Sequence, residues 1–102
     1  MKAIEVTIEI RGKQYPCRMT MGAMLDFKRK TGMDVSELGN MEASSEERLE
    51  LMMTLIWCCI NSACRCDGIA FDIPLDTFAD HISPEDFAAG VASMTQGETE
   101  GN

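Results

Sequence analysis

The sequence predicts one α+β domain, mainly α, in which an N-terminal β-hairpin packs on a bundle of about four helices around one long central apolar helix. The central helix is predicted from residues 51–60, of which nine are apolar and only Thr54 is polar. A helix that is apolar on all sides is buried on most of them. The hairpin is predicted from residues 3–10, where apolar and polar residues alternate as in a half-buried strand.

The first strand of the hairpin is expected to carry its apolar residues on one face. These residues are Ile4, Val6, Ile8 and Ile10. Residues 11–13 supply the turn, in which Gly12 is free to adopt a positive φ, and residues 14–19 return as the second strand. Pro16 has no N–H group for a ladder hydrogen bond, so we expect an open edge of the sheet near this residue.

A first helix is predicted over residues 21–31, between an N-cap and a terminating glycine. Thr20 is a suitable N-cap, and Gly32 suits the left-handed position that ends a helix. Three basic residues complement the dipole at the end of this helix; they are Lys28, Arg29 and Lys30. The buried face is expected to consist of Met21, Met24, Leu25 and Phe27.

The central helix follows a connection over residues 33–44. Ser44 and Glu47 have the spacing of a capping box, in which the serine oxygen accepts from the amide of the glutamate and the glutamate reaches back. The helix is therefore expected to run over residues 45–66 and to end before Gly68. Its apolar middle is shorter than the roughly 20 apolar residues that cross a bilayer, so we expect no membrane-spanning segment.

Two short helices are predicted after an extended link over residues 69–73. The first of them starts at Pro74 and covers residues 75–81. The second has Ser83 as its N-cap, Pro84 as its first residue and acidic residues in its first turn. The residues of this second helix that are expected to face inward are Phe87, Val91 and Met94.

A single globular domain is predicted to cover residues 1–95. Residues 96–102 contain no apolar side chain, and a segment that cannot bury apolar surface stays disordered. We therefore expect a disordered polar tail after the domain. The chain opens without the apolar segment of a signal peptide, so its five cysteines are expected as thiols in a reducing cytoplasm.

Charge is distributed unevenly in this acidic chain, whose net charge is −8. Residues 1–30 contain seven basic and three acidic residues, a net of +4, whereas the rest of the chain has a net of −12. Nucleic-acid binding draws its affinity from Lys and Arg side chains that neutralise phosphates, so this balance argues against it. The polarity suits a protein partner or head-to-tail association of copies.

Four cysteines in the central helix come closest to the pattern of a metal site. They are Cys58, Cys59, Cys64 and Cys66. On a straight helix these thiols do not share one face, and Cys59 and Cys66 lie about two turns apart, too far for one tetrahedral ion. Neither a C-x-x-C spacing nor a neighbouring histidine supports a zinc site. We therefore expect buried or half-buried thiols and no bound metal.

The sequence contains no catalytic or cofactor-binding pattern. His81, the only histidine, is expected at the end of a short helix, where the dipole favours a cation. Glycine loops that cradle phosphates and the nucleophile elbow of hydrolases are lacking. Five acidic residues do not have the spacing of a calcium loop and fit helix ends better; they are Asp72, Asp76, Asp80, Glu85 and Asp86. We expect a protein that is not an enzyme and has no cofactor.

The order of the predicted elements is itself a pattern. A hairpin precedes a helix that ends in Thr31-Gly32 before Asp34-Val35, and a long apolar helix with Trp57 precedes two short helices. The segments concerned are 20–35, 57–63, 75–80 and 83–86. Over residues 4–94 this order resembles the small tail assembly chaperones of long-tailed phages and prophages. The resemblance implies a non-enzymatic protein that binds the tape-measure protein during tail assembly and is absent from the finished virion.

On this resemblance the expected partner is a helical segment of a phage tape-measure protein, met in the cytoplasm of the bacterial host. Neither nucleic acid nor a membrane is expected as a partner, and no partner-binding residues are predicted. Two alternatives stay open. One is a phage structural or head-tail accessory protein that forms homo-oligomers through the edge near Pro16. The other is a metal or thiol protein that uses the four cysteines of the central helix.

Overall fold

The chain forms an antiparallel hairpin followed by four helices in a computed structural model that describes residues 6–42 and 44–99, with side chains up to residue 92. This architecture confirms the predicted α+β class, mainly α. The hydrophobic core surrounds α2, which contacts β2 and the other three helices. The elements in chain order are β1 (Val6–Ile10), β2 (Lys13–Cys17), α1 (Met21–Thr31), a 3₁₀-helix (Val35–Asn40), α2 (Glu46–Asp67), α3 (Leu75–His81) and α4 (Pro84–Thr99).

The hairpin turns through two residues in the left-handed region, Arg11 with φ 56° and Gly12 with φ 84°. Two such residues make a type I′ turn, whose twist matches that of paired strands. The strands place Ile8 opposite Tyr15, and both side chains are buried. The predicted turn and inward face are thus confirmed for the described residues, and Ile4 lies outside them.

The outer edges of the hairpin do not offer an uninterrupted row of donors. Pro16 pairs with Thr7 between two hydrogen-bonded pairs, so its missing N–H removes a donor from the outer edge and none from the ladder. Pro16 is buried, so the edge that was expected to be open is not exposed at this residue. On β1 the Glu9 amide donates to Asp86 Oδ2 of α4 at 2.9 Å, and this contact protects the other edge.

The bounds and caps of α1 agree with the prediction. Thr20 Oγ1 accepts a hydrogen bond from the Ala23 amide at 3.0 Å, which satisfies a donor that the first turn leaves unpaired. Gly32 adopts φ 79°, and its amide donates to the Lys28 carbonyl at 2.7 Å. The helix therefore starts and stops at signals that are local in the sequence.

The predicted buried face of α1 is wrong for two of its residues. Met21 is 73% exposed and Leu25 is 53% exposed, whereas Ala23 and Phe27 are fully buried. Met21 and Leu25 each precede one of the buried residues by two positions, which is about 200° around a helix. They therefore point away from α2, while Met24 is half-buried at the side.

The bounds of α2 lie one residue later than predicted. Its N-cap is Ser45, whose Oγ accepts from the Arg48 amide at 3.0 Å, so the capping box predicted for Ser44 and Glu47 is wrong. Ser45 offers the same hydroxyl one position later, and its use as the cap places two glutamates in the first turn, where the helix dipole favours them. The helix ends before Gly68 as predicted, with φ 72° at that glycine.

The apolar middle of α2 is almost completely covered. Within residues 51–60 only Leu51, Met53 and Trp57 are half-buried, and the other seven are buried. The sheet, α1, α3 and α4 supply the cover. The buried residues of α2 are Met52, Thr54, Leu55, Ile56, Cys58, Cys59, Ile60, Ser62, Ala63 and Cys64.

By length and composition α2 is able to cross a membrane. This finding corrects the expectation drawn from residues 51–60 alone, because those residues are the middle of a 22-residue helix. Of the most apolar window of that helix, 56% is buried inside the domain. The core helix of a soluble protein passes the same test, so the property does not by itself indicate a membrane.

The two C-terminal helices begin at their predicted starts. α3 has the predicted bounds, and its Phe78 is fully buried. α4 begins at Pro84, and Ser83 Oγ accepts from the Asp86 amide at 3.1 Å as the predicted cap. Both helices therefore depend on the start signals that the sequence shows.

The far end of α4 differs from the expectation for the polar tail. The helix includes residues 96–99, Gly97 among them, while residues 100–102 lie outside the described residues. Phe87 and Val91 are half-buried against the core as expected. The side chain of Met94 lies outside the described part of the chain, and the predicted domain boundary stays a prediction.

Candidate partner-binding groove

An open groove of about 380 Å³ lies between α1 and α2. The two helices run antiparallel, since Asp26 of α1 meets Arg65 near the end of α2, while Lys30, one turn further along α1, reaches Trp57, two turns earlier in α2. We call this surface the α1–α2 groove and define it by its lining residues, Asp26, Arg29, Lys30, Trp57, Cys58, Asn61 and Arg65.

Small residues let the two helices approach closely at one end of the groove. A Cβ atom on Gly22 would lie 3.3 Å from Ser62 Oγ and 3.4 Å from Arg65 Nη2. The hydroxyl groups of Thr20 and Ser62 share a hydrogen bond, so the N-cap of α1 is bonded directly to α2. These contacts fix the spacing of the helices and therefore the distance between the walls of the groove.

Trp57 forms the aromatic wall of the groove and is the only tryptophan in the chain. Its indole Nε1 donates to the carbonyl of Ile73 at 2.9 Å. Lys30 Nζ lies 5.0 Å from the ring centroid, within the range of a cation–π interaction. The ring is half-buried, so its orientation is fixed while part of its surface stays accessible.

The α1–α2 groove is basic although the protein is acidic. The Asp26 carboxylate accepts from Arg65 Nη2 at 3.1 Å and from Arg29 Nη1 at 3.5 Å. Together with Lys30, three cations stand against one carboxylate in a chain of net charge −8. The two arginine side chains are 72% and 58% exposed, and such ion pairs contribute only about 0–1 kcal/mol. They are therefore able to pair with another carboxylate at small cost.

Exposed apolar side chains lie on the outer side of α1, next to the groove but not in its lining. Leu25, 53% exposed, lies one turn before Arg29 on the same side of the helix, and Met21 lies one turn before Leu25. Leu49 of α2 is the third large hydrophobic residue exposed in the described part of the chain, and none of the three lines the groove. An apolar patch beside a groove is typical of a surface that binds a partner.

The interpretation of the groove depends on its own geometry. No family model, curated protein or solved structure matches this chain. The sequence did not identify the groove either, because Arg29 and Lys30 were explained by the dipole of α1 and Trp57 by the apolar run of α2. The useful signal was the single tryptophan inside that run, since its indole N–H needs a partner when the ring is buried.

A second open groove, of about 410 Å³, lies beside the hairpin turn. It carries two basic side chains, Arg11 and Lys13, and one acidic side chain, Asp72. Its excess is therefore one positive charge, compared with two in the α1–α2 groove, and no tryptophan lines it. This hairpin groove is therefore a weaker candidate for a partner and serves below as a control surface.

The structure does not bring the four cysteines of α2 together. Cys58, Cys59 and Cys64 are buried, whereas Cys66 is exposed. Among the described residues, no group of three or more His, Cys, Asp or Glu side chains is arranged to hold a metal ion. The Cys59 thiol donates to Met19 Sδ at 3.9 Å and also interacts with the thiol of Cys17 in β2. The sequence did not reveal Cys17 as a neighbour, because it comes from the hairpin.

The thiols of α2 are held in their protonated form. Burial, with the Asp26 carboxylate as a second cause, raises the pKa of Cys58 from 9.0 to about 11. The hydrogen bond with Cys17 and then burial raise the pKa of Cys59, and burial also raises the pKa of Cys64. Because the thiolate is the reactive form of cysteine, these buried thiols should be inert in the folded protein.

We expect one thiol of the five to react rapidly with a chromogenic disulfide reagent at pH 8, because Cys66 alone is exposed. In denaturant all five should react. The measurement is the absorbance of the released chromophore against time. Cys66→Ser should lose the fast phase. A fast phase of more than one thiol in the native protein would show that the α2 thiols are accessible.

His81 and the acidic residues have structural contacts. His81 is exposed, and its Nδ1 lies 2.9 Å from the carbonyl of Thr77 in the same helix. Asp86 accepts from the Glu9 amide and so joins α4 to β1. The other members of the acidic string are exposed at or near helix ends; they are Asp72, Asp76, Asp80 and Glu85.

Proposed function

We propose that this protein is a non-enzymatic tail assembly chaperone of a phage or prophage, which binds a helical segment of the tape-measure protein while the tail is assembled in the host cytoplasm. The order of elements that resembles this family supports the proposal. The observation that carries it is the α1–α2 groove with its exposed apolar flank. A groove of this kind between two helices suits the docking of an amphipathic helix.

The burial pattern is consistent with a partner that binds and leaves. Seven residues of the segment 51–60 are buried within the single chain, so the core does not need a partner to be closed. Met21 and Leu25 are exposed on α1 without being part of that core. A partner would therefore cover surface that the folded domain leaves accessible, and its release would not open the core.

The test is capture of the tape-measure protein encoded by the same genome. We expect it to co-purify with the folded chain when the two are expressed together, because its apolar helical segments need cover before assembly. An unrelated coiled-coil protein of similar length is the control and should not be captured. A folded chain that fails to retain the tape-measure protein would contradict the proposal.

A second measurement separates a chaperone from a structural protein. A chaperone should be absent from purified virions when they are examined by mass spectrometry, whereas a head-tail accessory protein should be present in stoichiometric amount. The alternative of homo-oligomers formed through the sheet edge has lost support, because Pro16 is buried and the Glu9 amide is bonded to α4.

A further inference from the structure

We propose that the α1–α2 groove binds an acidic amphipathic segment of a partner protein, whose carboxylates pair with Arg29, Lys30 and Arg65. One apolar side chain of the segment packs on Trp57 in the groove, and another packs on Leu25, beyond Arg29 on the outer side of α1. The inference rests on the proposed function in one respect, namely that the protein acts by binding another protein. It adds the chemistry of the segment that is bound. The same charges disfavour a basic segment within the groove.

The charge of the groove favours an acidic partner. Asp26 is shared between Arg29 and Arg65, and Lys30 is placed over the Trp57 ring, so the groove has an excess of two positive charges. Charge complementarity selects partners and suppresses those of like charge. Because the chain as a whole has net charge −8, long-range attraction favours a basic partner, and only this local excess favours an acidic one.

The apolar side chains of Trp57 and Leu25 favour a segment that is amphipathic. Trp57 is half-buried with its indole fixed by the Ile73 carbonyl, so a side chain that packs on it meets a rigid surface. Rigid aromatic anchors bind at a low cost in conformational entropy. Leu25 does not line the groove, but it is 53% exposed and lies one turn before Arg29, which does. A segment with apolar residues on one face and carboxylates beside them matches both surfaces.

The experiment uses two synthetic amphipathic helices that contain no tryptophan. One combines Leu with Glu, and its twin has Lys in place of each Glu. Each is titrated into the full chain at an ionic strength of about 0.15 M, where exposed charges more than about 8 Å apart are largely screened, while the fluorescence of Trp57 is followed. We expect the Glu peptide to produce a saturable change and to bind about tenfold more tightly than its Lys twin. Equal binding, or tighter binding of the Lys twin, would overturn the inference.

Two pairs of variants locate the binding surface. Arg29→Gln combined with Lys30→Gln should weaken binding of the Glu peptide about tenfold. The matched control is Arg11→Gln with Lys13→Gln in the hairpin groove, which changes the net charge equally and should leave binding unchanged. Equal losses in the two double variants would show that the peptide senses net charge and not this groove.

The apolar contact is tested in the same way. Leu25→Gln should weaken binding of the Glu peptide several-fold. Leu49→Gln, of similar exposure but not one turn away from any residue that lines the groove, should leave binding unchanged. Thermal melts establish that both variants are folded. Equal binding by both would remove Leu25 from the site and overturn the apolar part of the inference.

The failures of the two proposals are distinguishable. If the tape-measure protein binds the wild type and the Arg29→Gln, Lys30→Gln variant equally, the proposed function stands and the groove inference fails. If the Glu peptide binds through the groove but the tape-measure protein is not captured, the groove inference stands and the proposed function fails.

Discussion

Ile56→Asp should unfold the domain. Ile56 is fully buried in the middle of α2, with Gly90 of α4 packed against it, so a carboxylate at this position would be removed from water. Burying an unpaired charge costs several kcal/mol, and the total stability of a domain is only about 5–15 kcal/mol. We expect the variant to lose its cooperative thermal transition in far-UV circular dichroism.

The matched control for this prediction lies on the same helix. Leu49 is 51% exposed, so Leu49→Asp places the same carboxylate in water and should melt close to the wild-type temperature. An Ile56→Asp protein that is soluble and melts cooperatively near that temperature would show that Ile56 faces solvent or a partner. The arrangement of α4 on α2 would then be wrong.

Gly90→Val should destabilise the domain by about 1–3 kcal/mol, the usual cost of forcing extra atoms into a packed core. A Cβ atom on Gly90 would lie 3.1 Å from Ile56 Cδ1 and 3.4 Å from Cγ1. Valine adds two further methyl groups at that place. Either Ile56 leaves its rotamer or α4 moves away from α2, and the loss is measured as a lower midpoint in urea unfolding.

Two further variants test whether this contact causes the loss. Ala89→Val introduces valine at the exposed neighbouring position and reports the intrinsic effect of a β-branched residue in this helix. Ile56→Val removes Cδ1 and should reduce the cost of Gly90→Val, because residues in contact have non-additive effects. An unchanged midpoint for Gly90→Val would mean that the two helices are further apart.

The helices whose bounds were predicted correctly have their capping residues within a few positions of the helix ends. The bounds of α1 follow from Thr20 and Gly32, and the start of α4 follows from Ser83, each through a hydrogen bond that spans a few residues. The start of α2 was misplaced by one residue because two adjacent serines offer the same hydroxyl, and local spacing does not choose between them.

The groove was beyond the reach of local patterns. It exists because antiparallel packing brings Arg65 to within 3.1 Å of Asp26, although 39 residues separate them in the chain. For a related reason, the hydrophobic pattern wrongly predicted that Met21 and Leu25 are buried. The type of residue indicates that a side chain prefers cover, but the pairing of the helices decides which side of α1 receives it. Contacts between segments that are distant in the sequence therefore determine both where the groove lies and which side of α1 is exposed.

The hydrogen bond between Glu9 and Asp86, which joins residues 77 positions apart, has a consequence for synthesis on the ribosome. α4 is the last of the described helices to be translated, yet it covers both the edge of β1 and Ile56. Until α4 emerges from the ribosome, one side of α2 and the outer edge of β1 lack the contacts that cover them in the folded domain. Domains fold as units during translation, so the interval before α4 docks is when this chain is most open to binding by the folding factors of the cell.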